Sequence, residues 1–158
     1  MRYLTAFFIL AFGLILFPSN LAAQDLVMEN GIYVDSKSHE PCTGIYQVRY
    51  ENGNLAAVYN LLDGKLHRGV VQYFEDGGIR ETGHFEHNER HGLWLQWSER
   101  GNLVSQAQFQ HGEKHGKWIF WDESGNQRVK TEYNQGSSIG VWQVFNEYAE
   151  LIDQRKLD

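Results

Sequence analysis

Residues 128–133 alternate cleanly, with Val129, Thr131 and Tyr133 on one side of the chain and Arg128, Lys130 and Glu132 on the other. A period of two marks a strand with one buried and one wet face. Small-x-aromatic pairs recur upstream, as Ala57-x-Tyr59, Gly83-x-Phe85 and Ala107-x-Phe109 ahead of Thr131-x-Tyr133. Residues two apart on a strand share a face, so each pair marks a second strand of the same kind. Glycines punctuate these stretches, and their spacing exposes an internal repeat.

Gly44, Gly69, Gly92, Gly116 and Gly140 are separated by 25, 23, 24 and 24 residues. Nine residues after the first four lie Gly53, Gly78, Gly101 and Gly125, and twenty after three of them lie Gly64, Gly112 and Gly136, with Asn88 near that place in the second unit. All five tryptophans fall two or five positions after a leading glycine, as Trp94, Trp97, Trp118, Trp121 and Trp142; Phe145 and Phe74 take position five elsewhere, and Val71 stands at position two. Turns are expected at Glu51-Asn52-Gly53, Glu75-Asp76-Gly77-Gly78, Glu99-Arg100-Gly101 and Glu123-Ser124-Gly125, where glycine accepts the positive φ that hairpins need. Further turns at Gln110-His111-Gly112 and Asn134-Gln135-Gly136 lead to the next hairpin. The pattern predicts an all-β fold, a single elongated antiparallel β-meander of tandem hairpin repeats. Four repeats start at 44, 69, 92 and 116 and fill 44–139, with a degenerate capping repeat at 24–43 and a partial one at 140–158. The last has Ala149 where glycine is expected, and its charged finish suits a capping strand or a short helix.

Positions two and five differ by an odd number. In a regular strand Trp94 and Trp97 would face opposite sides, so either the first strand carries a bulge or both faces of the sheet hold aromatics.

The first residues do not fit this pattern. Arg2 precedes an apolar run from Leu4 to Phe17, broken by Pro18-Ser19-Asn20 ahead of Leu21-Ala22-Ala23. This reads as a signal peptide over 1–23, too short for a membrane span, so the protein is expected to be exported to a periplasmic, cell-surface or extracellular location.

Composition changes the picture mainly by exclusion. The 158 residues carry a formal charge of −6 with 14 Lys and Arg scattered singly, which gives no footprint for a nucleic acid backbone. The single cysteine, Cys42, forms no intrachain disulfide and reads as a half-buried thiol. Serines lie at turns or polar strand positions, and the recurrent Glu51, Glu75, Glu99 and Glu123 express a turn preference, so no catalytic group and no cofactor are expected. His84, His87 and His91 lie close in sequence, as do His111 and His115. His91 and His115 each precede a leading glycine, whereas His67 sits two before its own. In a stacked array they would form a ladder, which turn-specific hydrogen bonding explains before metal binding or proton sensing does.

The candidate binding surface is the aromatic stripe of Trp94, Trp97, Trp118, Trp121, Trp142 and Phe145, although most of it is expected to be framework. A protein partner is expected, through exposed aromatics or through a free sheet edge that would also allow homodimers. Envelope glycan or lipid binding by the same stripe is the alternative.

The pattern Gly-x-Trp-x-x-aromatic with glycine at nine, together with Asn30-Gly31-Ile32-Tyr33, Lys65-Leu66-His67-Arg68-Gly69, Arg90-His91-Gly92 and Lys114-His115-Gly116, resembles the bacterial variant of the MORN repeat over residues 29 to 158. More narrowly it resembles the YwqK-type antitoxin group. The resemblance implies an elongated β-meander, often bent or paired edge to edge, in proteins that act as scaffolds, dimerisation surfaces or lipid-associated modules.

Overall fold

The computed structural model describes residues 26–157, and the leader predicted at 1–23 lies outside them. Among the described residues there are thirteen strands and no helix. A separate hairpin of β1 (Leu26–Glu29) and β2 (Ile32–Asp35) precedes the main sheet. The sheet comprises β3 (Gly44–Arg49), β4 (Leu55–Leu62), the short β5 (Lys65–Leu66), β6 (Arg68–Tyr73), β7 (Ile79–Glu86), β8 (Glu89–Trp97), β9 (Leu103–Gln110), β10 (Glu113–Trp121), β11 (Gln127–Asn134), β12 (Ser137–Phe145) and β13 (Leu151–Leu157). Apart from β5, which pairs with β4, its strands lie side by side in chain order, and every pairing is antiparallel. The charged C-terminal finish is therefore a capping strand.

Two turn types alternate. At one side of the sheet a glycine closes every hairpin but the last, in which Ala149 takes its place; Gly101 N–H, for example, donates to Ser98 O at 2.9 Å and Ser98 N–H to Asn102 O at 2.9 Å. At the other side two consecutive residues take positive φ: Asp63-Gly64, His87-Asn88, His111-Gly112 and Gln135-Gly136. Such two-residue turns match the twist of the flanking strands. The second residue of each also ties its unit to the preceding one. Gly64, Asn88, Gly112 and Gly136 N–H groups donate to the carbonyls of Cys42, Leu66, Arg90 and Lys114 at 2.8, 2.8, 2.9 and 2.9 Å.

The backbone corrects the second unit. Arg68 (φ +69°) holds the leading conformation otherwise taken by Gly92, Gly116 and Gly140, while Gly69 does not. In the same way Gly77 (φ +93°), and not Gly78, closes the hairpin. The unit thus starts at 68, the leading positions 44, 68, 92, 116 and 140 recur every 24 residues, and His67 becomes the equivalent of His91 and His115. Its positions two and five are Val70 and Tyr73, not Val71 and Phe74. The small residue of the first unit is also displaced. Tyr59, not Ala57, pairs with Tyr46, as Gly83 pairs with Val70, Ala107 with Trp94 and Thr131 with Trp118. Glycine spacing misled here because an Arg-Gly and a Gly-Gly pair each offer a glycine one place late.

Among the described residues the core is two clusters. Cys42, Tyr46 and Leu61 are buried together under Leu26, Tyr33 and Leu66, which places the β1–β2 hairpin as a cap on the first unit and makes the thiol buried, not half-buried. Tyr33 N–H donates to Gly64 O at 2.7 Å, and no side chain would fit at Gly64 against the Tyr33 backbone. Val70, Trp94 and Ala107 form the second cluster, with Tyr59, Phe85, Phe109 and Trp118 packed against it.

Candidate functional site

The leading glycine explains how a sheet without covering helices builds that second cluster. Between Thr82↔Leu95 and His84↔His91, β8 has two residues more than β7, and Gly92 (φ +68°) lies within this bulge. The same irregularity recurs between β9 and β10 and between β11 and β12. It brings the Trp94 ring down over Gly83, where a Cβ could not be accommodated. A glycine at 83 is thus a requirement of the neighbouring indole.

The rings then stack edge to face along the array. Phe85 meets Trp94 at 4.9 Å, Trp94 meets Phe109 at 6.2 Å, Phe109 meets Trp118 at 5.1 Å and Trp118 meets Tyr133 at 5.3 Å. Cations lie over the stack. The Arg90 guanidinium is 4.0 Å from the Trp94 ring, and Lys114 Nζ is 5.0 Å from Trp118 and 4.9 Å from Tyr133. Arg90 is held in turn by the buried carboxylate of Glu81 at 3.4 Å, which also accepts from Gln96 Nε2 at 2.8 Å.

Of the six aromatics in the candidate surface, Trp94 is 2% exposed and cannot touch a partner. Trp118 is partly buried in the stack and donates from Nε1 to Gln108 O at 3.0 Å. Trp97, Trp121, Trp142 and Phe145 are partly buried and stand outside the stack. No bulge of the first strand lies between positions two and five: β8 runs regularly from Trp94 to Gln96, and the extra residue of the register shift at Trp97 is Val104 on β9. Trp94 and Trp97 thus stand three places apart on a regular strand, and only Trp94 joins the stack.

Exposed apolar side chains occur on interior strands, as Leu62, Ile79, Leu93 and Val141, and in a pair on each of the two edge strands. Ile45 and Val48 stand out from β3; Leu151 and Ile152 stand out from β13, next to Tyr148, which is 75% exposed in the preceding turn. Sequence reasoning missed these residues because aromatic richness drew attention to the repeat interior. The signal available was position, since the first and last strands of a meander have only one neighbour.

The histidines form a ridge along the side of the two-residue turns. His67 and His87 lie 5.1 Å apart between ring centroids, His91 and His111 5.0 Å, and His84 and His91 6.3 Å. His84 is held below the usual imidazole pKa by partial desolvation and then by His91 and His67, although its ring reaches solvent. Glu86, His91 and His111 are the one group among the described residues whose donor atoms converge closely enough to hold a metal. Elsewhere, burial raises the pKa of Tyr46 and Tyr59, while backbone N–H donors hold Asp35 and Asp122 below the usual carboxylate value.

Residues 90–111 and 114–135 each match the family described as MORN repeat variant. These two units are similar to MORN repeats. The matched segments begin 24 residues apart and coincide with the two units that hold the ring stack. No curated protein matches the chain. MORN repeats commonly serve protein or membrane interaction, which is compatible with a non-catalytic scaffold.

Proposed function

We propose that this MORN-type array is an exported, non-catalytic interaction scaffold that associates through the free edges of its sheet, with a second copy of the chain as the first partner. The observation that carries this reading is the placement of exposed apolar side chains on both edge strands, Ile45 and Val48 on β3 and Leu151 and Ile152 on β13. An edge strand offers unpaired N–H and C=O groups to another strand, and apolar side chains beside them add area to the contact. Export rests on the apolar leader over 1–23. It separates the protein from an intracellular toxin, so the narrower antitoxin role is not the one favoured.

Glycan or lipid binding by the aromatic stripe has less support. Sugar stacking needs an open ring face, whereas Trp94 is buried and Arg90 and Lys114 lie over the central rings. The deciding experiment is light scattering coupled to size exclusion on the chain without residues 1–23, alongside its Leu151→Lys/Ile152→Lys variant. A dimer that the double variant converts to a monomer is expected. A monomer at every concentration would contradict the proposal.

A further inference from the structure

The three two-residue turns at His87, His111 and Gln135 place the same three positions together in successive units. One position ends the strand before the previous turn, one precedes the leading residue, and one opens the turn. In chain order the sets are Leu62, His67 and His87; Glu86, His91 and His111; Gln110, His115 and Gln135. Only the middle set has a metal-ligating side chain at all three places. The repeat therefore contains its own comparison: one backbone arrangement carrying two, three and one ionisable nitrogen or carboxylate donors.

In the middle set Glu86 Oε2 lies 3.3 Å from His91 Nδ1 and 3.8 Å from His111 Nδ1, and donor atoms of all three residues fall within 4.8 Å of one another. Donors about 2.0–2.1 Å from a tetrahedral zinc ion are themselves about 3.3 Å apart. Closing the larger gaps requires side-chain rotation alone, because His111 is exposed and Glu86 and His91 are partly so. His91 Nδ1 is buried without a hydrogen-bond partner, as are His67 Nδ1 and His115 Nδ1 in the flanking sets, so what sets the middle one apart is the carboxylate and second imidazole beside that nitrogen. We propose that Glu86, His91 and His111 form a binding site for a borderline divalent cation of the zinc type. Two imidazoles and one carboxylate suit such an ion over magnesium or calcium, which favour oxygen donors. The three ligands come from two consecutive units, so the ion would clamp the β7–β8 turn to the β9–β10 turn. Three protein ligands leave one tetrahedral position open on the exposed side, where water or a donor from a partner molecule can complete the shell.

The neighbouring units supply substitutions that the fold already accommodates. Gln110 replaces Glu86 in its equivalent place, and Gln135 (φ +47°) replaces His111 (φ +48°) in the same backbone conformation. Calorimetric titration of the full chain with zinc chloride at pH 7.5, with thermal unfolding in parallel, is expected to give one site and a raised midpoint. Glu86→Gln and His111→Gln should each weaken binding by at least about tenfold. His87→Gln, in the set with a leucine at the carboxylate place, should leave it unchanged. The proposal is overturned if the folded parent chain binds no zinc, or if binding survives Glu86→Gln and His111→Gln undiminished. It is equally overturned if His87→Gln weakens binding as much as His111→Gln does, since the ion would then belong to the histidine ridge at large.

Discussion

Trp94 and Trp142 hold the same place in the repeat and live in different surroundings. Trp94 faces Ala107 on β9, covers Gly83 on β7, meets Phe85 and Phe109 edge to face and lies beneath Arg90. Trp142 faces Arg155 on β13, the last strand of the sheet. One indole is fully buried and the other only partly. In an array of this kind a unit's core is completed by its neighbours, so an identical residue is worth different amounts in the middle and at the end. The end unit also departs chemically: a long cation replaces the small residue opposite the indole, and Ala149 (φ +60°) replaces the turn glycine.

The sharpest way to break this comparison is to remove each indole in turn. Trp94→Ala should destabilise the fold by about 3–5 kcal/mol in denaturant unfolding, as expected for deleting a fully buried aromatic. Trp142→Ala should cost about 1–2 kcal/mol, in keeping with its partial burial. Equal losses would mean that neighbouring units do not decide the burial of position two.

A smaller effect tests the corrected register. Arg68→Gly should stabilise the chain by about 1 kcal/mol, because a non-glycine residue at positive φ carries a steric cost of about that size. Gly69→Ala, one residue later, should be neutral or slightly stabilising, since its backbone is not in the left-handed region and a Cβ there meets open space. If Gly69→Ala is instead the damaging change and Arg68→Gly has no benefit, the unit begins at 69 after all.

Much of the fold was legible from residue types. Glycine and aromatic spacing showed the period, the hairpins and the sequential meander, because turn chemistry and strand alternation are local properties. The errors were local too. A residue identity marks a positive-φ position only statistically, so Arg68 and Asn88 were harder to see than Gly92 and Gly112. The site was less legible because it depends on what lies across the sheet. Nothing near Trp94 in sequence announces that Gly83 and Arg90 enclose its ring, and the meeting of His91 with His111 depends on the stacking of one unit's turn on the next. The apolar residues of β3 and β13 have unremarkable sequence contexts and gain meaning only as edges.

Hydrogen–deuterium exchange resolved by strand tests the central claim most directly, namely that stability is concentrated where a unit has neighbours on both sides. Amides of β8 to β11 should exchange slowest and those of β13 fastest within the sheet, with protection falling progressively through β12. Uniform protection across the sheet, or β13 protected as strongly as β9 in the monomer, would contradict the account.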